Sequence, residues 1–235
     1  MSLTYTTYVA QIANLMALDS TTADFQTQLP GMIDYAEQRI YRELDLLSTV
    51  VRDNTGVLVS GNRNFTLPTT SNGPFVTVQG INVITPVSTA ADDGTRNALQ
   101  PVSRDYLDLV WNSVSGATVP QLFAMIDQEN IILGPWPDST YGVEVIGTIR
   151  PNPLSSTNTT TFLTDYLPDL FVMASMVYGS AYMKNFGAQA DQPQMSSSYE
   201  MQTQTLMASA MKEETRKKFA SYSFTSLSTA KASEH

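Results

Sequence analysis

Nine of the twelve prolines and nine of the twelve glycines fall between Gly56 and Pro153, and this clustering limits the fold more than any other feature of the chain. Proline removes a backbone donor and clashes with the preceding helical turn, while interior glycine weakens a helix through its backbone freedom. The middle of the chain is therefore expected to consist of short strands and turns, leaving the flanking stretches free to be helical. The apolar spacing agrees. Tyr5, Val9, Ile12 and Met16 recur at helical intervals, with Thr4 placed to cap the first turn. A second helix is expected to start at Pro30, a good first-turn residue. It would carry Ile33, Ala36, Ile40, Leu44 and Leu47 on one stripe, with Asp34, Glu37, Gln38 and Glu43 on other faces. Downstream, residues 169–183 are apolar almost all round and read as a buried central helix. Gly187 and Pro193 punctuate a turn, after which Met195, Tyr199, Leu206 and Ala210 restart a helical stripe.

Within the middle, residues 75–78 and 81–84 read as strands split by Gly80. Residues 121–127 and 130–133 flank an Asp127-Gln-Glu-Asn turn, and the loop from Gly134 to Thr140 leads into a strand over 141–150. Only residues 103–111 look helical there. The expected fold class is α+β: a helical bundle made of an N-terminal helix pair (1–48) and a C-terminal αα-hairpin (154–216). An antiparallel β-meander domain (49–153) is inserted between them, and an extended C-terminal tail (217–235) follows. That tail is rich in Ser and Thr, with Phe219, Tyr222, Phe224 and Leu227 spaced through it. Alone it cannot bury enough surface to offset its ordering entropy, so it is expected to dock on a neighbouring subunit or partner. A helix continuing from Met211 is the alternative.

The side chains that perform most protein chemistry are nearly absent. There is no cysteine, and the single histidine is His235. Thiol nucleophiles, disulfides, Cys/His zinc sites and a positioned Ser-His-Asp triad are thereby excluded, and no enzymatic role, cofactor or metal is expected. Carboxylate-only chemistry survives in principle, but Glu37, Glu43, Glu129, Glu144, Asp165 and Asp169 share no motif spacing and read as solvated helix faces or strand edges. Asp92-Asp93-Gly94 lacks the alternating oxygens of a calcium loop and reads as a turn. Nucleotide-binding glycine motifs are missing, and no apolar run is long enough to span a bilayer. Residues 1–17 carry no basic region of the kind that opens a signal peptide.

Net charge is −9, from 13 basic and 22 acidic residues, and residues 1–38 contain no Lys or Arg. An acidic chain is a poor candidate for gripping phosphate. Charged residues make up only 15% of the total against an ordinary level of about 25%, which suits a surface covered by partners. The run Lys212-Glu-Glu-Thr-Arg-Lys-Lys places its basic end where a helix C-terminus would favour it. Seven of eleven methionines lie between Met173 and Met211, as core filling or as adaptable contact between helices of different subunits.

Several short segments, in this order, carry a resemblance: Ala36-Glu37-Gln38-Arg39-Ile40 followed by Leu44-Asp45-Leu46, then Leu133-Gly134-Pro135-Trp136-Pro137-Asp138 with Tyr141. Pro153-Leu154-Ser155, Leu167-Pro168-Asp169-Leu170 and Tyr199 follow. From about Tyr5 to Met211 the chain resembles the head-to-tail adaptor (connector) proteins of short-tailed bacteriophages. The resemblance implies a homo-oligomeric ring of twelve copies in the virion neck, assembled in the host cytoplasm. Portal protein would lie above it, tail or nozzle proteins below, and genomic DNA would pass through without specific binding; no membrane is involved. Helices would form the ring body and inner wall, with the β-domain facing outward or toward the tail. Lys217, Lys218, Phe219, Tyr222, Phe224 and Leu227 lie beyond the resemblance and are the expected contacts to portal or neighbour. An acidic channel lining repels DNA phosphate, which fits a conduit that must not hold its cargo. The competing readings are another tail component (tail tube, nozzle or head-decoration protein) and a carbohydrate-binding tail module using Trp111 and Trp136.

Overall fold

The computed structural model of the protein describes residues 3–183 and 195–230, with side chains as far as Ala220. The chain divides into two compact units, one of Met1–Ser48 with Asn152–His235 and the other of Thr49–Pro151. The expected turn at Gly187 and Pro193 lies outside the described residues.

The first unit is helical. Helix α1 (Tyr5–Leu15) opens on the Thr4 cap, whose side chain and that of Thr7 close a reciprocal capping box. Helix α2 (Ala23–Glu43) starts seven residues before the expected Pro30, which sits inside it. The apolar stripe explains the difference: Phe25 and Leu29, upstream of the proline, are fully buried beside Met32, Ile33, Ala36 and Ile40. Their burial outweighs the one backbone hydrogen bond that proline removes. The short α4 (Phe162–Tyr166) leads into α5 (Pro168–Tyr182), the buried central helix, with Leu170, Phe171, Val172, Ala174 and Met176 all inside. Tyr8 of α1 stacks on Phe171 at 4.8 Å, and its hydroxyl donates to Ser175, which donates onward to the Phe171 carbonyl.

Helix α5 packs against α2 on one side and α6 (Met195–Ala230) on another. Residues 217–230 are thus the last turns of a 36-residue helix and not an extended tail. Its many hydroxyls do not break it, because they bond back to carbonyls one turn earlier: Thr203 to Tyr199, Thr205 to Met201, Ser209 to Thr205 and Thr215 to Met211. The Lys212–Lys218 run consequently lies mid-helix, away from any helix C-terminus.

The second unit holds two four-stranded sheets and is not the expected meander. Strands β1 (Val50–Val57), β3 (Phe75–Thr85), β4 (Thr95–Ala98) and β8 (Gly142–Ile149) form one sheet in the order β1-β8-β3-β4, all antiparallel. Strands β2 (Asn64–Thr66), β5 (Gln100–Pro101), β6 (Leu122–Met125) and β7 (Asn130–Gly134) form the other in the order β2-β7-β6-β5, with β5 parallel to β6. Strand β8 returns to sit between β1 and β3, so its alternate Val143, Val145 and Ile149 join the buried face with Ile81 and Val83. Gly80 does not split β3; the strand runs through it with a register shift between Val78 and Gly80. Gly147 is required at the β8–β3 crossing, where a Cβ would stand 2.3 Å from the Thr77 carbonyl oxygen. Helix α3 (Arg104–Val110), capped by Ser103 as its sequence suggests, inserts Leu107 against Ala124 and Ile132.

Two buried glutamates mark where the helical unit passes to the other and receives the chain back. Glu37 of α2 accepts the Leu154 N–H at 3.0 Å, and Glu214 of α6 accepts the Leu47 N–H at 3.0 Å. Each carboxylate satisfies a backbone donor where the chain leaves regular structure, at a buried site for Leu154 and a part-buried one for Leu47.

Candidate assembly surfaces

The six carboxylates with no shared motif turn out to be structural or solvated. Glu37 and Glu144, expected on exposed faces, are buried, while Glu43, Glu129, Asp165 and Asp169 are exposed. Among the described residues no three His, Cys, Asp or Glu side chains come together in a way that could hold a metal ion, and no helix is long and apolar enough to cross a membrane.

Glu144 is the third residue of β8, where Asn82 of β3 donates to it at 2.8 Å, Arg96 of β4 at 3.1 Å, and Arg52 of β1 completes the set. One carboxylate thus joins all four strands of its sheet. Burial pushes its pKa up, but the hydrogen bonds from Asn82, Arg96 and Arg52 outweigh that and hold it below the ordinary carboxylate value. Asp92 carries the same two guanidiniums, at 2.6 Å from Arg52 and 3.3 Å from Arg96. The Asp92–Gly94 segment is the expected turn, closed by hydrogen bonds from Asp93 and Gly94 N–H to the Ala90 carbonyl.

The loop that begins at Gly134 is locked by tryptophan and arginine together. The Trp136 indole N–H donates to the Trp111 carbonyl at 3.1 Å, and the Arg63 guanidinium lies 5.5 Å over the Trp136 ring while pairing with Asp108 at 2.5 Å. Trp111 packs an edge against Tyr106 and leaves no room for a Cβ on Gly134, which would stand 2.8 Å from its ring. Both indoles are half-buried and engaged within the chain, unlike the open aromatic platform that a sugar ring needs.

On α6 the six expected contact residues divide. Lys217 pairs with Glu213 at 2.9 Å and Glu214 at 2.7 Å and lies 5.7 Å over the Phe162 ring. Lys218 pairs with Asp45, on the segment that leaves the helical unit. Both lysines therefore hold their own chain: Lys218 takes Asp45, and Lys217 pairs with the Glu214 that accepts the Leu47 N–H. Phe219 is 69% exposed. Tyr222, Phe224 and Leu227 ride on the helical backbone, their side chains outside the described residues.

Two further surfaces of the helical unit stand out. Along α6, the side facing away from Thr203, Met207, Ala210 and Glu214 exposes Met201, Ala208, Lys212, Thr215, Arg216 and Phe219 as one ridge. Lys212 and Arg216 pair with no carboxylate among the described residues. Along α2 runs a groove of about 510 Å³ whose floor is Gly31 and whose walls include Asp34, Tyr35, Arg42 and Tyr178 of α5. Arg39 at the groove's end is held by a two-pronged bond to Glu200 of α6, at 2.5 and 2.6 Å, and by Glu43. The Arg39 hydrogen bond lowers the Glu200 pKa against the opposing effect of its burial.

Spacing alone found the helices that carry these surfaces, but neither the glutamate-centred cluster nor the groove, both of which depend on residues far apart in sequence. Compared with known families, the chain matches the model of the SU10 adaptor protein over residues 3–227, which takes in both units and most of α6. No curated protein matches it significantly.

Proposed function

The chain belongs to the SU10 adaptor family of phage adaptor proteins, structural components of the virion, and from that premise we propose that it forms a closed ring of twelve copies below the portal, joining capsid to tail and extending the DNA channel. The observation that carries the reading is the family match through both units, not through one of them. The role is structural and not enzymatic: the buried carboxylates are consumed by backbone N–H groups and guanidiniums, and the tryptophans by their own loop.

The net charge of −9, multiplied around a ring, gives a negative field through which DNA slides without being held. Portal protein meets the end of α6. Because Lys217 and Lys218 are occupied within the chain, the contact begins at Phe219 and continues through Tyr222, Phe224 and Leu227. Tail or nozzle proteins take the opposite end of the ring, which occupies the virion neck after assembly in the host cytoplasm.

Mass measurement of the purified protein, alone and with portal protein, tests this. A ring that forms with portal and loses it when residues 219–235 are removed is the expected result. A protein that remains monomeric under both conditions refutes the ring, and unchanged portal binding after the deletion refutes the contact at the end of α6.

A further inference from the structure

The connection between β3 and β4, residues 86–94, folds back over the outer face of its own sheet. Ile81 and Val83 of β3 belong to the core of the β-unit, so Asn82 and Ile84 share the opposite face with Glu144 of β8. Ile84 is buried all the same, although it lies outside that core. Gly94 rests on it so closely that a Cβ there would stand 2.4 Å from the Ile84 Cγ2. Across β3 and β8, the Asp92 carboxylate of this connection reaches Arg52 of β1 at 2.6 Å, and it also meets Arg96 of β4 at 3.3 Å. None of residues 86–94 is buried, and their N–H bonds to Pro86 and Ala90 carbonyls, from Thr89, Asp93 and Gly94, stay within the segment. Ser88 holds φ at 63°, a left-handed backbone that disfavours any side chain. Asn97 fixes the neck of the hairpin, its amide donating to Thr85 Oγ1 at 2.9 Å and to the Thr95 carbonyl at 3.3 Å. The segment thus has a fixed neck, a strained turn, no side chain in the core, and one carboxylate that ties it to the opposite edge of the sheet.

We propose that residues 86–94 are a strap latched by Asp92: shut, it covers Ile84 on the outer face of the sheet, and open, it bares that apolar side chain and frees one side of two guanidiniums. Glu144 holds both guanidiniums independently, Arg96 at 3.1 Å and Arg52 beside it, so the sheet keeps its order when Asp92 leaves. The latch sits at exposed positions, with the Asp92 side chain 71% and each arginine 40% exposed. Ion pairs there are weak and screened by salt, which makes the strap responsive to its ionic surroundings while the strands beneath it are not. The device belongs to the β-unit alone and does not depend on the ring.

The absence of cysteine from the chain allows a direct test. Ile84→Cys places a single thiol under the strap, and Val83→Cys places one in the core on the other face of the same strand. Each full-length variant is labelled with a chromogenic thiol reagent, and unchanged tryptophan fluorescence confirms that the β-unit is folded. Adding Asp92→Ala to Ile84→Cys is expected to speed labelling about fivefold, the effect of losing two exposed pairs, since labelling follows the open population when reclosing is fast. Raising NaCl from about 10 mM to about 1 M shortens the screening length from about 30 Å to about 3 Å. It is expected to speed labelling at position 84 while Asp92 is present and to have little effect once Asp92 is replaced. The thiol at position 83 should stay protected throughout. Labelling at position 84 that Asp92→Ala leaves unchanged overturns the latch. Equal acceleration at positions 83 and 84 also overturns it, because the sheet and not the strap would then be opening.

Discussion

The helical unit and the β-unit both bury carboxylates, and they satisfy them in different ways. In the helical unit, Glu37 and Glu214 accept backbone N–H groups of the two connecting segments, at Leu154 and Leu47, with Lys217 as a further partner of Glu214. In the β-unit, Glu144 accepts side-chain donors from three neighbouring strands. The reason lies in what each architecture leaves unmatched. Helices and sheets satisfy their own backbones internally, so orphan donors concentrate where the chain leaves regular structure. In the helical unit these are the points of departure and return, and a buried glutamate answers each. A sheet leaves no such donor in its interior, so a buried glutamate there must bring its own cations. The first arrangement pins connections; the second pins strand order.

The comparison can be broken most forcefully in the cores. Phe171→Ala removes a fully buried ring that stacks on Tyr8 and is expected to cost the helical unit about 3–5 kcal/mol. Gly147→Val forces a side chain into the Thr77 carbonyl and is expected to disrupt the β-unit alone. Both tryptophans, Trp111 and Trp136, lie in the β-unit. Tryptophan fluorescence therefore follows that unit while helical circular dichroism follows mainly the other. Phe171→Ala should lower the dichroism transition and leave fluorescence nearly in place, and Gly147→Val should do the reverse; identical shifts in both signals would show that the units unfold as one.

The glutamates come next in size. Glu144→Ala leaves Arg52 and Arg96, each 40% exposed and free to turn to water. The expected loss is therefore about 1–3 kcal/mol, below the 3–5 kcal/mol of a fully enclosed pair. Glu37→Ala strands the Leu154 N–H in a buried site, and about 1–3 kcal/mol is expected there too. The two should differ in location: Glu144→Ala lowers the fluorescence transition, and Glu37→Ala the dichroism transition while opening residues 152–158 to protease. A Glu37→Ala chain that is cut no faster than the wild type would contradict the pinning role.

Acid should act on the sheet site. The Glu144 pKa is lowered in the folded state, so its stabilising effect is fully present above the ordinary carboxylate value of about 4.3 and fades as pH falls through the folded value. The fluorescence midpoint in urea should therefore fall as pH drops below the ordinary carboxylate range. Glu144→Gln should flatten that dependence, bringing variant and wild type together at the acid end. A slope unchanged by the substitution would assign acid sensitivity elsewhere.

Local features were legible and distant pairings were not. The Thr4 cap, the Ser103 start of α3, the buried α5 and the restart at Met195 all follow from spacing within one or two turns. Pro30 misled because its effect on one hydrogen bond is local, whereas the burial of Phe25 and Leu29 that overrules it is tertiary. Strand order escaped for the same reason: β8 pairs with β1 across 92 positions between Glu144 and Arg52, and no local period records that. The end of α6 was read as an extended tail because Ser and Thr compete with a helix's own backbone bonds, a competition that Thr203, Thr205, Ser209 and Thr215 earlier in the same helix resolve by bonding back to carbonyls one turn away. Of the expected contact residues, Phe219 is the one whose exposed side chain the structure displays, while Lys217 and Lys218 are turned to their own chain by Glu213, Glu214 and Asp45.

The smallest expected effect concerns a neutral pair. Tyr8 donates to Ser175 at 2.7 Å, and Ser175 donates to the Phe171 carbonyl at 2.8 Å, so the chain of hydroxyls ends on a backbone group of α5. Burial drives the Tyr8 pKa well above its ordinary value, so the hydroxyl stays a donor throughout the working range. Tyr8→Phe keeps the ring and its stack on Phe171 and removes only that donation. Ser175 retains its own bond to the carbonyl and loses one accepted proton, so a cost of about 0.5–1.5 kcal/mol is expected, confined to the dichroism transition. Ser175→Ala should cost about as much, because it strands the Tyr8 hydroxyl in the core. The double change should cost less than the sum of the two, since removing both partners leaves nothing unsatisfied between α1 and α5. Strict additivity would mean that the bond contributes nothing, and that α1 is held on α5 by the ring stack alone.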